Sequence, residues 1–280
     1  MPLLPPSSTR GILPRPGARR GPPLRLGAVT EPSQAPTAPT DAHLPTLAED
    51  FARVLVVVAH PDDIEYGAAA AVARWRAADI EVSYLLATYG EAGIDTMDPA
   101  EAAPVRAQEE RDGAAEVGVE VVHFLDHRDG VVEYGLELRR DIAWVIRRER
   151  PDLVVSLTHR ERFAGGGTNQ ADHIAVGRAA LDACRDPGNR WLFPELLAEE
   201  LEPWGGVRRI AYANPPQATH AVDVTEHVAA AIASLECHAQ YLQALGPDYP
   251  SPRDLLEQIL GAGGRAAGLP YAVTFEVFEL

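Results

Sequence analysis

The chain has 280 residues, 46% of them hydrophobic, enough to bury a substantial core as one large domain or a domain with an appendage. A formal net charge of −16 argues against the basic face on which nucleic-acid affinity rests. No apolar run reaches the length of a membrane span, and Cys184 and Cys237 lack the spacing of a disulfide framework or a sulfur-rich zinc site. Together these features point to a cytoplasmic protein.

Residues 1–50 are dominated by Pro, Ser, Thr, Gly and Ala and show no periodicity. Such a segment cannot bury enough apolar surface to offset its ordering entropy, so it reads as a disordered stretch ahead of a domain spanning 51–280. Its arginines are interrupted by prolines and no continuous apolar run follows them, so a secretory signal is not expected.

From Arg53 onward, strand and helix patterns alternate. Val54–Ala59 is an unbroken apolar run, the signature of a strand buried on both faces, and it ends in His60-Pro61-Asp62-Asp63. An Ala-rich helix over 64–78, a strand over 81–88 and a polar loop containing Glu91 come next. A helix over 99–117 closed by Gly118, a strand over 121–125 and an exit loop containing His127 and Asp129 follow. The spacing then predicts a helix over 136–150, a strand over 152–158, a long glycine-bearing loop and a helix over 170–184. Residues 189–204 carry Trp191, Phe193 and Trp204 and read as a lid or wall. Short strands over 209–213 and 220–225, one long helix over 226–245 and a last alternating strand over 271–278, expected at a sheet edge, complete the pattern. This alternation implies α/β architecture: a mostly parallel, Rossmann-like sheet with helices on both faces.

Two clusters carry chemistry. In open α/β sheets ligands bind beyond the carboxyl ends of strands, where His60, Asp62 and Asp63 are aimed. The second cluster, Gln170-Ala171-Asp172-His173, enters the helix after the fourth strand. His60, Asp63 and His173 supply the inventory of a catalytic metal site with three protein ligands, and Asp62 is left over as a base. A His₂Asp set suits Zn²⁺, with Fe²⁺ or another divalent ion as alternatives. Gln170 and His173 share a helix face, and Asp172 is placed to orient a neighbour. The plainer role for Asp62 or Asp63 is a helix cap, and for Arg106 a surface ion pair with nearby Glu109 and Glu110.

The sequence Ala59-His60-Pro61-Asp62-Asp63 after a strand, followed by Ile64-Glu65-x-Gly67, resembles the LmbE-like or PIG-L family of zinc-dependent N-acetylglucosaminyl deacetylases. The resemblance extends through the Thr88–Glu91 loop, the Arg106-x-x-Glu109 helix, the 126–130 loop and the Ala171-Asp172-His173 segment to His238. It implies metal on His60, Asp63 and His173, Asp62 as base, and Arg106, Asp129 and Glu91 toward the substrate. Gln170 stands where the family's second motif usually begins with a histidine, and Thr168 where a relative carries tyrosine. The Gln170 amide can donate to an oxyanion but cannot shuttle a proton. Protonation of the leaving amine then falls to Asp62 or to another histidine, with His127 and His220 as candidates.

The expected function is removal of an N-acetyl group from an amino sugar or related small metabolite. Alternatives are an amidase on a larger amide conjugate and a weakly active, metal-retaining sugar-binding protein. The expected partner is a small-molecule substrate, with no nucleic acid and no membrane span; homo-oligomerisation is left open.

Overall fold

The computed structural model describes residues 43–280. The expectation of disorder for residues 1–42 lies outside the described residues. The remainder of the expected tail behaves differently. Leu47 is buried, Thr46 bridges Ala221, and the Glu49 carboxylate accepts from Arg74 Nε and Trp75 Nε1, each at 2.9 Å. Residues 43–50 therefore belong to the folded unit, anchored by one apolar side chain and by ion pairs that composition alone does not reveal.

In chain order the elements are β1 (Arg53–Val58), α1 (Asp63–Gly67), α2 (Ala69–Ala77), β2 (Glu81–Leu86), α3 (Pro99–Glu116), β3 (Val121–Phe124), α4 (Leu136–Glu149) and β4 (Leu153–Leu157). They continue with α5 (Ala171–Ala183), α6 (Glu195–Ala198), β5 (Arg209–Ala213), β6 (His220–Asp223), α7 (Val228–Glu236), α8 (Ala239–Ala244), α9 (Pro252–Ala267) and β7 (Ala272–Glu279). The sheet runs β3-β2-β1-β4-β5-β7-β6, and the first five strands in that order are parallel. The direction of winding reverses between β1 and β4, which opens a crevice beyond their carboxyl ends.

Alternate residues of β1 feed opposite cores. Val54, Val56 and Val58 pack with Trp75, Tyr84, Leu235 and Leu260 on one face. Leu55 and Val57 pack with Ile142, Val145, Val176 and Ala180 on the other. Both faces are thus covered by helices, and an unbroken apolar strand is what such a position requires.

Three features depart from the pattern expected of the sequence. The helix over 64–78 is interrupted at Ala68, where α1 runs so close to β4 that a Cβ added to Gly67 would lie 2.7 Å from Leu157 Cδ2. The long helix over 226–245 is two helices, broken at Cys237–His238, and the break drives the His238 side chain into the core. β7 is not an edge strand; it lies antiparallel between β5 and β6. Its alternation survives in the sheet interior because Val273 and Phe275 enter the core while Glu276, on the other face, is neutralised by Arg160.

Candidate functional site

Every side chain of the first cluster leaves the carboxyl end of β1. Asp63 does not cap a helix; its Oδ2 accepts the backbone N–H groups of Ala59 at 3.0 Å and His60 at 2.9 Å. That fixes the carboxylate under the turn and presents Oδ1 to His173 Nε2 at 2.9 Å. His60 Nδ1 lies 3.2 Å from His173 Nε2 and 3.6 Å from Asp63 Oδ2. The two histidine nitrogens and the Asp63 carboxylate, which meets each histidine through a different oxygen, approach one another at 2.9–3.6 Å, close enough for one donor atom from each residue to share a divalent ion with bonds of about 2.0–2.2 Å.

The outer partners fit the same reading. His60 Nε2 lies between Asp129 Oδ1 at 3.1 Å and Asp172 Oδ2 at 3.2 Å, which directs Nδ1 inward. His173 Nδ1 meets Asn169 Oδ1 at 2.9 Å, which directs Nε2 inward. Histidines that hold metal are ordinarily oriented in this way by a carboxylate or carbonyl on the remote nitrogen. Burial would lower the basicity of His60, but its hydrogen bonds to Asp129, Asp172 and Asp63 outweigh this and raise its pKa well above the ordinary value. Burial likewise pushes Asp63 upward, yet the charge and hydrogen bond of His173, then those of His60, hold it well below the usual carboxylate range. The residues present fit a divalent metal.

Asp62 stands beside these donors with a different environment. Its backbone is left-handed, φ 95°, a conformation that costs a non-glycine residue about 1–3 kcal/mol and persists only where neighbours impose it. Those neighbours lie one turn apart on α3. Arg106 Nη2 donates to the Pro61 carbonyl, and Glu110 Oε2 accepts the Asp62 N–H at 3.2 Å, so α3 grips both ends of a single peptide group. Arg106 Nη2 also donates to Asp62 Oδ1 at 3.1 Å, Nη1 donates to the Gly90 carbonyl at 2.9 Å, and Tyr241 stacks on the guanidinium at 4.2 Å. Burial raises the Asp62 carboxyl to about 6, a rise opposed by Arg106 and reinforced by the adjacent Asp63.

The remaining expected residues sort by geometry. Gln170 lines the cavity as the N-terminal flank of α5 and makes no side-chain cap. Asp172, expected among the catalytic residues as the one that orients a neighbour, is buried, faces His60 and accepts the Gly130 N–H at 2.7 Å and the Val132 N–H at 3.1 Å. Asp129 lines the cavity but accepts the Ala92 N–H at 2.8 Å. Glu91, expected at the substrate, does not reach the cavity lining; its carboxylate accepts the Asp129 N–H at 2.9 Å and steadies that loop. Arg106, expected at the substrate or in a surface ion pair, is buried against Asp62 and still lines the cavity. His127 pairs with Asp141 at 2.9 Å and His220 with Thr219 at 2.9 Å, and neither lines the cavity.

Sequence reasoning missed two parts. Asn169 ties the loop after β4 together, donating from Nδ2 to the carbonyls of Thr158 at 2.6 Å and Arg160 at 2.9 Å while orienting His173. Its position immediately before the second cluster was the available signal. Behind Asp62 lies a fully buried group, Glu65, Glu110 and His238, with His238 Nε2 3.6 Å from Glu65 and 3.9 Å from Glu110. Burial would lower the His238 pKa, but the facing carboxylates raise it from 6.5 to about 9. Burial, then the Glu65 charge, pushes Glu110 well above the ordinary carboxyl range. Both groups hold their protons more tightly folded than unfolded. The His238 contribution is therefore complete below pH 6.5 and is lost as pH rises through about 9. Thermal melts across that window are expected to show falling stability for the wild-type chain and a flatter profile for His238→Gln.

One cavity of about 890 Å³ reaches from His60, Asp62, Asp63 and His173 to a wall formed by α9. No described helix is long and apolar enough to cross a membrane.

Known proteins resemble the chain in this region. Residues 55–184 match the family model described as PIG-L, GlcNAc-PI de-N-acetylase. Diacetylchitobiose deacetylase of Thermococcus kodakarensis is 36% identical over 108 residues, covering 38% of this chain and 40% of that protein. A probable N-acetyl-alpha-D-glucosaminyl L-malate deacetylase 2 of Bacillus subtilis is 35% identical over 137 residues, covering 46% of this chain and 59% of that one. The matches therefore span 40% and 59% of the lengths of these two relatives. Among solved structures, the N,N'-diacetylchitobiose deacetylase of Pyrococcus horikoshii shares the fold with a TM-score of 0.74 at 24% identity, over 82% of this chain and 84% of that one. The match to the PIG-L family model runs from within β1 to just past α5 and so contains both clusters.

Proposed function

We propose that the chain is a zinc-dependent N-deacetylase that hydrolyses the acetamide of an N-acetylated amino sugar or related small metabolite. The observation that carries this reading is the buried His60–Asp63–His173 donor set beside a fourth group, Asp62, which is held by other partners and left free to exchange protons. The family relationship supplies the substrate class, since the relatives named above are deacetylases of N-acetylated sugars.

His60, Asp63 and His173 would hold the ion, and three protein ligands with one position left over is the usual composition of a catalytic zinc centre. When bound, Zn²⁺ would lower the pKa of a water molecule and polarise the acetamide carbonyl. The chain's own groups do the rest. Asp62, its carboxyl raised to about 6 by burial, takes the proton of the attacking water as the new C–O bond forms. It returns that proton to the amine nitrogen as the C–N bond breaks, releasing acetate and the free amine. The partners of His127 and His220 keep those histidines out of the cavity lining, so Asp62 performs both transfers in this scheme. The Gln170 amide NH₂ donates to the oxyanion, and Arg106 and Glu110 hold Asp62 in register. A cytoplasmic location agrees with Cys184 and Cys237 both being free thiols.

The test is metal analysis joined to an acetate-release assay on a panel of acetamido sugars. Chelation is expected to abolish turnover and Zn²⁺ to restore it. A metal-loaded chain that releases no acetate from any member, or turnover untouched by chelation, would overturn the proposal. Release of a larger acid from longer amides would instead favour the amidase reading.

A further inference from the structure

The cavity is larger than the chemistry at its polar end requires. At about 890 Å³ it lies near the top of the range of about 300–1,000 Å³ typical of sites for drug-sized ligands, and a single acetamido sugar fills only a fraction of it. The rest is an annex walled by α9, and the sequence of that helix explains its surface. A helix packed on a core needs one apolar stripe, and α9 has it in Leu256, Leu260, Gly263 and Gly264, all buried. It carries a second stripe, Leu255, Ile259, Ala262 and Ala266, at spacings of 4, 3 and 4 residues, which lines the cavity.

The buried glycines set the position of that second stripe. A Cβ at Gly263 would collide with the Ala272 carbonyl and one at Gly264 with the Pro270 carbonyl, so the helix is drawn onto this backbone. The 255/259/262/266 face is thereby turned along the cavity. Charge follows the same division. The acidic lining residues, Asp62, Asp63 and Asp129, all belong to the metal-binding end; the α9 side has none in a chain with 41 acidic residues, and the polar lining residues of α9 are Gln258 and Arg265, which flank the apolar stripe. An apolar strip continuous with a catalytic cavity, in a strongly acidic protein, is suited to an uncharged, apolar part of the substrate.

We propose that the second stripe of α9 is a subsite for an apolar aglycone, so that the preferred substrates are acetamido-sugar glycosides bearing an alkyl or aryl group. This rests on the deacetylase reading for the sugar and goes beyond it for the aglycone. The experiment compares the methyl and hexyl glycosides of N-acetylglucosamine as substrates of the full-length, metal-loaded chain. The hexyl:methyl ratio of kcat/KM is expected to be about tenfold, equivalent to about 1.4 kcal/mol. Ile259→Asp, and independently Ala262→Asp at an exposed position, are expected to return the ratio to about one.

A ratio near one in the wild-type chain, or a ratio unchanged in both variants, overturns the subsite while leaving the deacetylase reading in place. Calorimetric binding of the corresponding methyl and hexyl glucosaminides, which carry no acetyl group, tests it without turnover. Hexyl preferred about tenfold and abolished by both variants supports the subsite even if no acetate is released. Equal binding of the two overturns it.

Discussion

Asp62→Asn is expected to lower the rate of acetate release by about a thousandfold, within the range of about 10²–10⁴ usual for loss of a general base, with metal content unchanged. The carboxamide has the shape of the carboxylate, so its oxygen can still accept from Arg106, and the Pro61–Asp62 peptide remains gripped by Arg106 and Glu110. It removes the one atom that can accept a proton from water. It also relieves the repulsion between two buried neighbouring carboxylates, so the melting temperature should not fall. Acetate release, metal content and a melt on the same preparation separate these effects. A variant that retained more than a tenth of the wild-type rate would move the base elsewhere. One that lost its metal would make Asp62 a ligand.

Arg106→Ala is expected to cost about 3–5 kcal/mol of stability, the usual penalty for breaking a buried ion pair by removing one partner, and to depress turnover with it. Arg106 is 2% exposed and satisfies three acceptors at once: the Pro61 and Gly90 carbonyls and the Asp62 carboxylate. Its removal leaves Asp62 as a buried carboxylate without its ion-pair partner beside Asp63. Lysine cannot reproduce the planar fork that reaches all three, so Arg106→Lys should restore only part of the loss. At the other end of the same peptide, Glu110→Gln keeps an acceptor for the Asp62 N–H and should be much milder than Glu110→Ala. Urea denaturation with kcat measured on the same variants is the check. An Arg106→Ala chain destabilised by less than about 1 kcal/mol would show that the arginine belongs to an exposed ion pair after all.

The contrast between these residues shows what a single sequence can express. The apolar run of β1 and the polar residues that end it are local, and the rule that ligands gather beyond parallel strands turned them into a site. His173 required one further step, across the sheet to β4. Apart from the family resemblance, which pointed Arg106 toward the substrate, Arg106 and Glu110 were visible only as charges among other charges on a helix. Their partner is the backbone of residues 61 and 62, more than forty positions away, in a left-handed conformation that no residue type announces at an aspartate. The break before His238 was equally silent, since Ala, Ser and Leu continue the helical pattern up to it. β7 was misplaced because alternation signals a two-sided environment, and the pairing of Arg160 with Glu276 lies outside any local window. Gly263 and Gly264 lie inside α9, where close packing on the backbone of the segment that follows outweighs their poor helical propensity.

The place of β7 has a consequence for the order in which the protein assembles. β6 is joined to the rest of the sheet through β7, and β7 is the later of the two in the chain. During synthesis β1 to β5 can pair as soon as they emerge, whereas β6 has only the single bridge between Ala221 and Thr46 until the segment 272–279 arrives. The residues of the candidate metal site are therefore made early, and the wall opposite them is added last. A nascent chain would expose the edge of β5 that β7 later covers and the apolar face of α9 until that final pairing, the interval in which partly folded chains are most prone to associate.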